Sequence, residues 1–360
     1  MEEENEEYTI EVEKLHKRYG KLEAVNGISF NVRKGEIVGF LGPNGAGKST
    51  TMRILTGYSP ATSGIAKICG HPVAANLHAI KRCIGYMPEN NPLPNELRVR
   101  EYLKWRAKLK EIPRSIRNEK IQLALERCDL MRTSDRIIGK LSKGFRQRVG
   151  IADAILAEPE VIIMDEPTIG LDPHQVIMIR DLISNLRGTM SVILSSHILP
   201  EIEMSCDRVL IINGGKIVGQ GTPQELREVF INATTYELEI NGEQQVLNNA
   251  LKKISPDLEI TKFSKFDNCT FSDVEIRGQG QHDYREEIFN ALAQDDAIRV
   301  RSLRRRQAPL EDVFLAATRR SWDTVDNQIA IAETEEKTPQ DSSPANKPQE
   351  DSVEDAVSKK

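Results

Sequence analysis

Within Gly42-Pro43-Asn44-Gly45-Ala46-Gly47-Lys48-Ser49-Thr50, the first eight residues follow the pattern G-x-x-x-x-G-K-[ST]. Glycines let backbone N–H groups turn inward and approach a polyanion closely. A helix starting at Lys48 would present its positive N-terminal end to the same anion. Lys48 would then reach the β- and γ-phosphates of a nucleotide, and the Ser49 hydroxyl would ligate Mg²⁺. A second run, Val161-Ile162-Ile163-Met164-Asp165-Glu166, ends four apolar residues on two carboxylates. Ligands of open α/β sheets sit at that end of a strand. Asp165 is therefore expected to hold Mg²⁺ through water, and Glu166 to polarise an attacking water.

These residues need a sheet to position them. Glu36 to Leu41 reads as a short strand running straight into the glycine-rich turn. Val161–Met164 and Ser191–Leu194 have the continuous apolar character of strands buried on both faces of a parallel sheet. Ile10–Tyr19 and Ala24–Val32 read as antiparallel strands, and Val209–Asn213 and Lys216–Gln220 as a hairpin around Asn-Gly-Gly. Between the two halves of the site lies a helical insertion at about 95–155. There Val99, Leu103 and Ala107 form one apolar stripe, and Ile121, Leu125 and Cys128 a second, both expected to pack in the core. Further on, Thr235–Ile240 and Thr270–Ile276 alternate like half-exposed strands, and Tyr284–Leu292 reads as helical. The last stretch, Glu333–Lys360, is rich in Glu, Asp, Ser, Pro, Gln and Lys, and is expected to be disordered because it has too little apolar surface to offset ordering entropy.

Composition narrows the function classes. A chain of 360 residues with 39% hydrophobic and 29% charged residues is ordinary for a globular protein of two or three domains. The formal net charge of -5 argues against a nucleic-acid partner held by bulk charge. Five scattered cysteines (Cys69, Cys83, Cys128, Cys206, Cys269) fit neither a disulfide framework nor a zinc site by spacing, and point to a reducing cytoplasm. The acidic start, Met1 to Glu7, is unlike a secretory leader, and no apolar run approaches the roughly 20 residues of a spanning helix. A transport role would require a separate membrane protein.

Further segments make the sequence resemble the nucleotide-binding subunits of ABC transporters. Leu141-Ser142-Lys143-Gly144-Phe145-Arg146-Gln147-Arg148 looks like the family's signature segment, 23 residues ahead of Asp165 when counted from Ser142. Pro167-Thr168-Ile169-Gly170-Leu171-Asp172-Pro173 is similar to the D-loop, and Ser196-His197 resembles the H-loop, 31 residues after Glu166. The resemblance implies a P-loop NTPase of ABC type. That is an α/β ATPase domain over 8–230 with an antiparallel β subdomain and a helical subdomain. A small α+β accessory domain would follow at 231–320, then a disordered acidic tail at 321–360. It also implies roles. Tyr19 would stack on adenine, with Val25 in the same nucleotide-contacting set as the P-loop from Gly42 to Thr50. Ser142, Lys143 and Gly144 would face the γ-phosphate held by the opposite subunit, with Asp172 at that seam. His197 would contact the γ-phosphate and hold water near Glu166. Two Mg-ATP would be sandwiched in a homodimer, or a heterodimer with a similar ATPase.

Two departures stand out. Lys143 and Phe145 replace the third and fifth residues of the usual Leu-Ser-Gly-Gly-Gln, and Glu89 in Ile84-Gly85-Tyr86-Met87-Pro88-Glu89 occupies the Q-loop glutamine position. A carboxylate at Glu89 still suits Mg²⁺ but adds negative charge near the γ-phosphate. Both departures resemble the branch whose ATPases pair with separately encoded export permeases, on the inner face of the cell membrane. Pro309-Leu310-Glu311-Asp312-Val313-Phe314-Leu315 is similar to the end of that branch's accessory domain. The basic run Arg304-Arg305-Arg306 reads as solvated surface charge, with lipid headgroups or a partner as the alternative. The competing functions are a soluble ABC ATPase acting on ribosomes or DNA, and a module that holds ATP without turnover. A single motif set with a short insertion speaks against the first, and an intact Glu166 and His197 against the second.

Overall fold

Alternate residues of the same strands belong to two different cores. Ile37, Leu41, Ile162, Met164, Val192 and Leu194 pack in one apolar cluster, while Val38, Phe40, Val161, Ile163 and Ile193 pack in a second. Side chains of a strand point to opposite faces with a period of two, so a sheet covered on both faces reads as an unbroken apolar run. In this computed structural model residues 7–265, 270–280, 282–294 and 297–319 are described; the expected tail at 321–360 and Cys269 lie outside them.

The central sheet holds β3 (Ile37–Leu41), β6 (Ile84–Met87), β7 (Val161–Asp165), β8 (Ser191–Ser196), β9 (Arg208–Asn213) and β10 (Lys216–Gly221) in the order β10-β9-β3-β8-β7-β6. All neighbouring pairs are parallel except β9 with β10. That hairpin turns at Gly214 and Gly215, whose φ angles of 53° and 75° are the left-handed pair a two-residue turn demands. A second sheet, β2-β1-β4-β5, comprises β1 (Tyr8–Tyr19), β2 (Leu22–Arg33), β4 (Ser63–Ile68) and β5 (His71–Pro72), all antiparallel. Its inward residues Ile10, Val12, Ile28 and Phe30 share the second cluster with α1 (Lys48–Leu55). Helix α2 (Leu77–Cys83) leads into β6.

The helical insertion consists of α3 (Val99–Leu109), α4 (Arg117–Arg127) and α5 (Lys143–Ile155). Both sequence stripes, Val99/Leu103/Ala107 and Ile121/Leu125/Cys128, are buried in the first cluster. Asp153 on α5 fastens α3: its two carboxylate oxygens accept from Arg106 Nε at 2.8 and 2.9 Å, and one also accepts from Tyr102 Oη at 3.2 Å. Helices α6 (Pro173–Ser184), α7 (Leu199–Ser205) and α8 (Pro223–Phe230) complete this part.

The following segment forms an antiparallel sheet, β12-β13-β11-β14, from β11 (Ala233–Asn241), β12 (Glu259–Lys265), β13 (Ser272–Gln279) and β14 (Arg299–Arg306). With α9 (Gln244–Ile254) and α10 (Arg285–Ala293) it has its own core of Tyr236, Leu238, Ile240, Leu247, Val274 and Ile288. The basic run lies on edge strand β14. Arg306 faces Glu237 at 3.6 Å and Glu275 at 3.8 Å, and Arg305 faces Asp283 at 3.9 Å. A charged edge of this kind resists further strand addition. Residues 310–319 are helical, and Leu310, Val313 and Ala317 pack not with this small core but in the first cluster, with Ile202 and Leu226. Its apolar i, i+3, i+7 face thus covers the cluster that holds α7 and α8. Ala308 O accepts from Arg227 Nε at 2.7 Å, and Leu310 N donates to Glu203 at 3.3 Å, so the return is pinned at α7 and α8.

Candidate functional site

The turn between β3 and α1 adopts left-handed φ at Gly45 (80°) and Gly47 (111°). A Cβ on Gly47 would lie 2.5 Å from the Ala24 carbonyl oxygen, so only glycine lets the loop close against β2. Lys48 folds over this loop, its ammonium donating to Gly42 O at 2.6 Å and Pro43 O at 3.3 Å. Burial lowers its pKa from the ordinary lysine value, while the nearby carboxylates of Glu166, Asp165 and Glu89 act in the opposite sense. The result is a partly desolvated cation resting on the loop's own carbonyls at the first turn of α1. Ala46 is buried beneath the loop, and the Thr51 hydroxyl donates back to Gly47 O at 2.9 Å.

The second half of the site is set by adjacent strands. Asp165 ends β7, and Glu166 follows with a left-handed φ of 51°, unusual for a side chain of its size. Such strained positions persist where the surroundings fix them. Here the fixing group is Ser195 on β8. Its carbonyl and its hydroxyl both accept from Glu166 N–H, at 3.2 and 3.1 Å, and the hydroxyl donates to Asp165 Oδ1 at 2.5 Å. Ser49 Oγ donates to the same carboxylate oxygen at 3.4 Å, which joins the loop to β7. His197, just past β8, places Nδ1 at 2.6 Å from Glu166 Oε2. A carboxylate only accepts, so Nδ1 carries the hydrogen.

One cleft of about 560 Å³ is lined by Tyr19, Pro43, Asn44, Gly45, Gly47 to Thr50, Glu89, Glu166 and His197, with Asp165 reached through Ser49. Tyr19, on the cleft wall, is 47% exposed, with Lys17 Nζ 4.9 Å from its ring centroid. The expected contact at Val25 is corrected by the structure. Val25 is 0% exposed and packs in the second cluster, while Leu22 and Ala24 line the cleft in its stead. The cause is parity: neighbours on a strand face opposite ways. Ser195 was not among the expected site residues. Its signal was present as two consecutive serines, Ser195 and Ser196, ending an otherwise apolar strand at 0% and 1% exposure. Buried hydroxyls require partners.

Of the D-loop segment Ile169 lines this cleft, whereas Asp172 and the signature residues Ser142, Lys143 and Gly144 lie outside it. Ser142 caps α5, its hydroxyl accepting from Phe145 N at 3.4 Å, and Lys143 reaches over Gly170. The Gln175 side chain fills the space where Gly144 would carry a Cβ, so Gly144 is held flat against α6. Asp172 caps α6 by accepting from Gln175 N at 3.0 Å. Ser142, Lys143 and Asp172 are all exposed. Between the two groups, Asn91, two residues after Glu89, donates to Arg146 O at 3.5 Å and sits against Gly150, linking the Glu89 segment to α5. Beside it Pro92, Leu93, Pro94, Leu97 and Trp105 line an apolar groove of about 480 Å³, in which Trp105 is 49% exposed.

The donor set around Ser49, Asp165 and Glu89 is all oxygen, which suits a hard cation such as Mg²⁺. Among the described residues no helix is long and apolar enough to cross a membrane. Residues 25–169 match the family described as ABC transporter. The chain is 30% identical over 316 residues to the linearmycin resistance ATP-binding protein LnrL of Bacillus subtilis, spanning 87% of this chain and 99% of that protein. It is 32% identical over 319 residues to the Nod factor export ATP-binding protein I of Rhizobium sp. (strain N33), spanning 87% and 98%. Among solved structures, cbiO1 from Clostridium perfringens, part of the ABC transporter complex cbiONQ, superposes with a TM-score of 0.56 at 28% identity, covering 69% of this chain and 98% of that one. Cleft, fold and near full-length relatives agree: the chain belongs to the ABC transporter family, as one of its ATP-binding, ATP-hydrolysing subunits.

Proposed function

We propose that two copies of this chain, or one copy and a similar ATPase, close around two Mg-ATP and thereby drive a separately encoded membrane permease in export. The observation that carries this reading is the division of the site. Lys48, Glu166 and His197 share one cleft, whereas Ser142, Lys143, Gly144 and Asp172 lie outside it, three of the four exposed. A nucleotide in the cleft needs a second chain to bring signature donors to its outer face.

Within each half, Tyr19 stacks on the adenine, and the backbone from Gly42 to Gly47 cradles the phosphates. Lys48 leaves its loop carbonyls for the β- and γ-phosphates, a charge-assisted exchange that favours the nucleotide. Ser49, Asp165 and Glu89 would hold Mg²⁺, which when bound neutralises charge on the phosphate oxygens. Glu166, with its backbone pinned by Ser195, polarises the attacking water. His197 holds that water and meets the γ-phosphate. The groove around Trp105 takes a short cytoplasmic helix of the permease, and Asn91 couples that groove to α5. The chain then works at the inner face of the cell membrane, without nucleic acid. The export direction is supported by likeness to a Nod factor export ATP-binding protein over nearly its whole length.

Glu166→Gln tests the reading. ATP should still bind, turnover should fall by roughly 10²–10⁴ as expected for a positioned base, and size exclusion with ATP should show a dimer. A variant that stays monomeric and hydrolyses ATP at the wild-type rate would falsify both the base and the sandwich.

A further inference from the structure

At the opposite edge of the central sheet from Lys48, the fold gathers two of the scattered cysteines. Cys83 ends α2 directly before β6, and Glu160 directly precedes β7. Because Ile84 pairs with Val161 in parallel register, these two preceding residues emerge side by side. Cys69 arrives from the other sheet, in the turn after β4. Its left-handed φ of 48° is held by a hydrogen bond from its N–H to Thr9 O at 2.8 Å. The two sulfurs and a Glu160 carboxylate oxygen lie within 4.8 Å of one another. Both cysteines are half-buried and Glu160 is exposed, so the cluster is reachable from solvent on one side.

We propose that Cys69, Cys83 and Glu160 form a binding site for a thiophilic divalent cation of the Zn²⁺ class, with a fourth position open to water. Two sulfurs and one oxygen are a borderline-soft donor set, which a hard cation such as Mg²⁺ disfavours. Tetrahedral Zn–S and Zn–O bonds of about 2.3 and 2.0–2.2 Å bring donors to roughly 3.5–3.8 Å, about 1 Å closer than the observed upper bound. A rotation of side chains in one half-open pocket supplies that. Burial, together with Cys83 and Glu160, pushes the Cys69 thiol up to about 12. Lys34, whose ammonium feels both Glu160 and Cys69, is bonded to Glu7 at 2.9 Å. A bound divalent ion would displace the thiol protons, as binding to thiolates requires.

Such an ion would tie the β4–β5 turn to the sheet edge from which β6 and β7 start. The five residues of β7 separate it from Asp165 by roughly 16 Å, so it is independent of the nucleotide site. Spacing in the sequence hid it, since its members come from two sheets and meet only through strand register.

The test uses the full chain, reduced and freed of metal by a chelator, titrated with Co²⁺ as a spectroscopic probe. One equivalent should produce thiolate-to-cobalt charge-transfer absorption that Zn²⁺ bleaches and excess Mg²⁺ does not. Cys69→Ser and Cys83→Ser should each lose that absorption. Glu160→Gln, at an exposed position that folding tolerates, should keep it while affinity falls at least about tenfold, the lower end of what even an outer partner of a metal site contributes. Absence of the band in the wild type, its survival in both cysteine variants, or wild-type affinity in Glu160→Gln overturns the site. So does a Cys69–Cys83 disulfide found by thiol counting in chain purified without reductant.

Discussion

Replacing Ser195 by alanine removes a side chain that touches both Asp165 and Glu166. Two hydrogen bonds go, but their losses are unequal. Glu166 N–H keeps the Ser195 carbonyl at 3.2 Å, so it is not orphaned. Asp165, 4% exposed, keeps only the longer bond from Ser49 at 3.4 Å in place of a 2.5 Å donor. A hydrogen bond to a charged group contributes about 1.5–3 kcal/mol, and the void left by one hydroxyl adds little, so nucleotide-free stability should fall by about 2 kcal/mol. Urea unfolding followed by circular dichroism reads this as a lower midpoint at unchanged slope. Glu166 then loses part of what holds its left-handed backbone, and kcat should drop about tenfold, or about 1.4 kcal/mol of barrier. ATP affinity, set by Lys48 and the loop, should change much less. An unfolding free energy within about 0.5 kcal/mol of wild type, together with wild-type kcat, would refute the idea that this hydroxyl positions the pair.

Lys48→Ala deletes a charge-assisted contact to two phosphates; at roughly 3 kcal/mol, ATP affinity should fall about a hundredfold, and a fluorescent-nucleotide titration with wild-type affinity would remove the P-loop assignment. Asp153→Ala frees Arg106 and Tyr102 and should cost about 2 kcal/mol of stability; an unchanged melting curve would show that α3 and α5 hold together without it. Trp105→Glu puts a charge in the apolar groove, so recovery of a polytopic permease with the chain from detergent-solubilised membranes should fall while soluble ATP binding persists. Undiminished co-purification, or recovery of ribosomes or DNA with no membrane protein, counts against the docking site.

What could be read from the sequence was what local chemistry dictates. The P-loop needs glycine at particular φ angles and a lysine at one offset, so its residues announce themselves. Strands β3, β7 and β8 were plain because both faces are buried. Parity was harder: Val25 and Ala24 are neighbours, and only the pairing of Lys17 with Val25 decides which of them faces the cleft. Ser195 acts through a neighbouring strand, so its role depends on the β7–β8 register. Strands β12 and β14 and helix α9 gave weak signals because edge strands and a small core tolerate charge; five arginines sit within the eight residues of β14. Arg98, whose charge suits a free docking surface, is exposed but sits at the N-cap of α3 and donates its guanidinium to Asp135 O. Reversing its charge would disturb the helix before any partner.

The return of residues 310–319 to the first apolar cluster changes how the segment from β11 to β14 relates to the rest of the chain. Its chain leaves at Ile231, whose N–H bonds Arg227 O at 2.8 Å, and comes back at Ala308, whose carbonyl accepts from the same arginine's Nε at 2.7 Å. Exit and re-entry thus share one residue, and the segment between them is topologically a loop excursion rather than an appendage. Cutting the chain after α8 and excising the excursion are different operations. A truncation also strips Leu310, Val313 and Ala317 from the apolar cluster that includes Ile202 and Leu226. A short bridge from Ile231 to Ala308 would keep that cover in place. Such a bridge has to span only the two positions that Arg227 holds together.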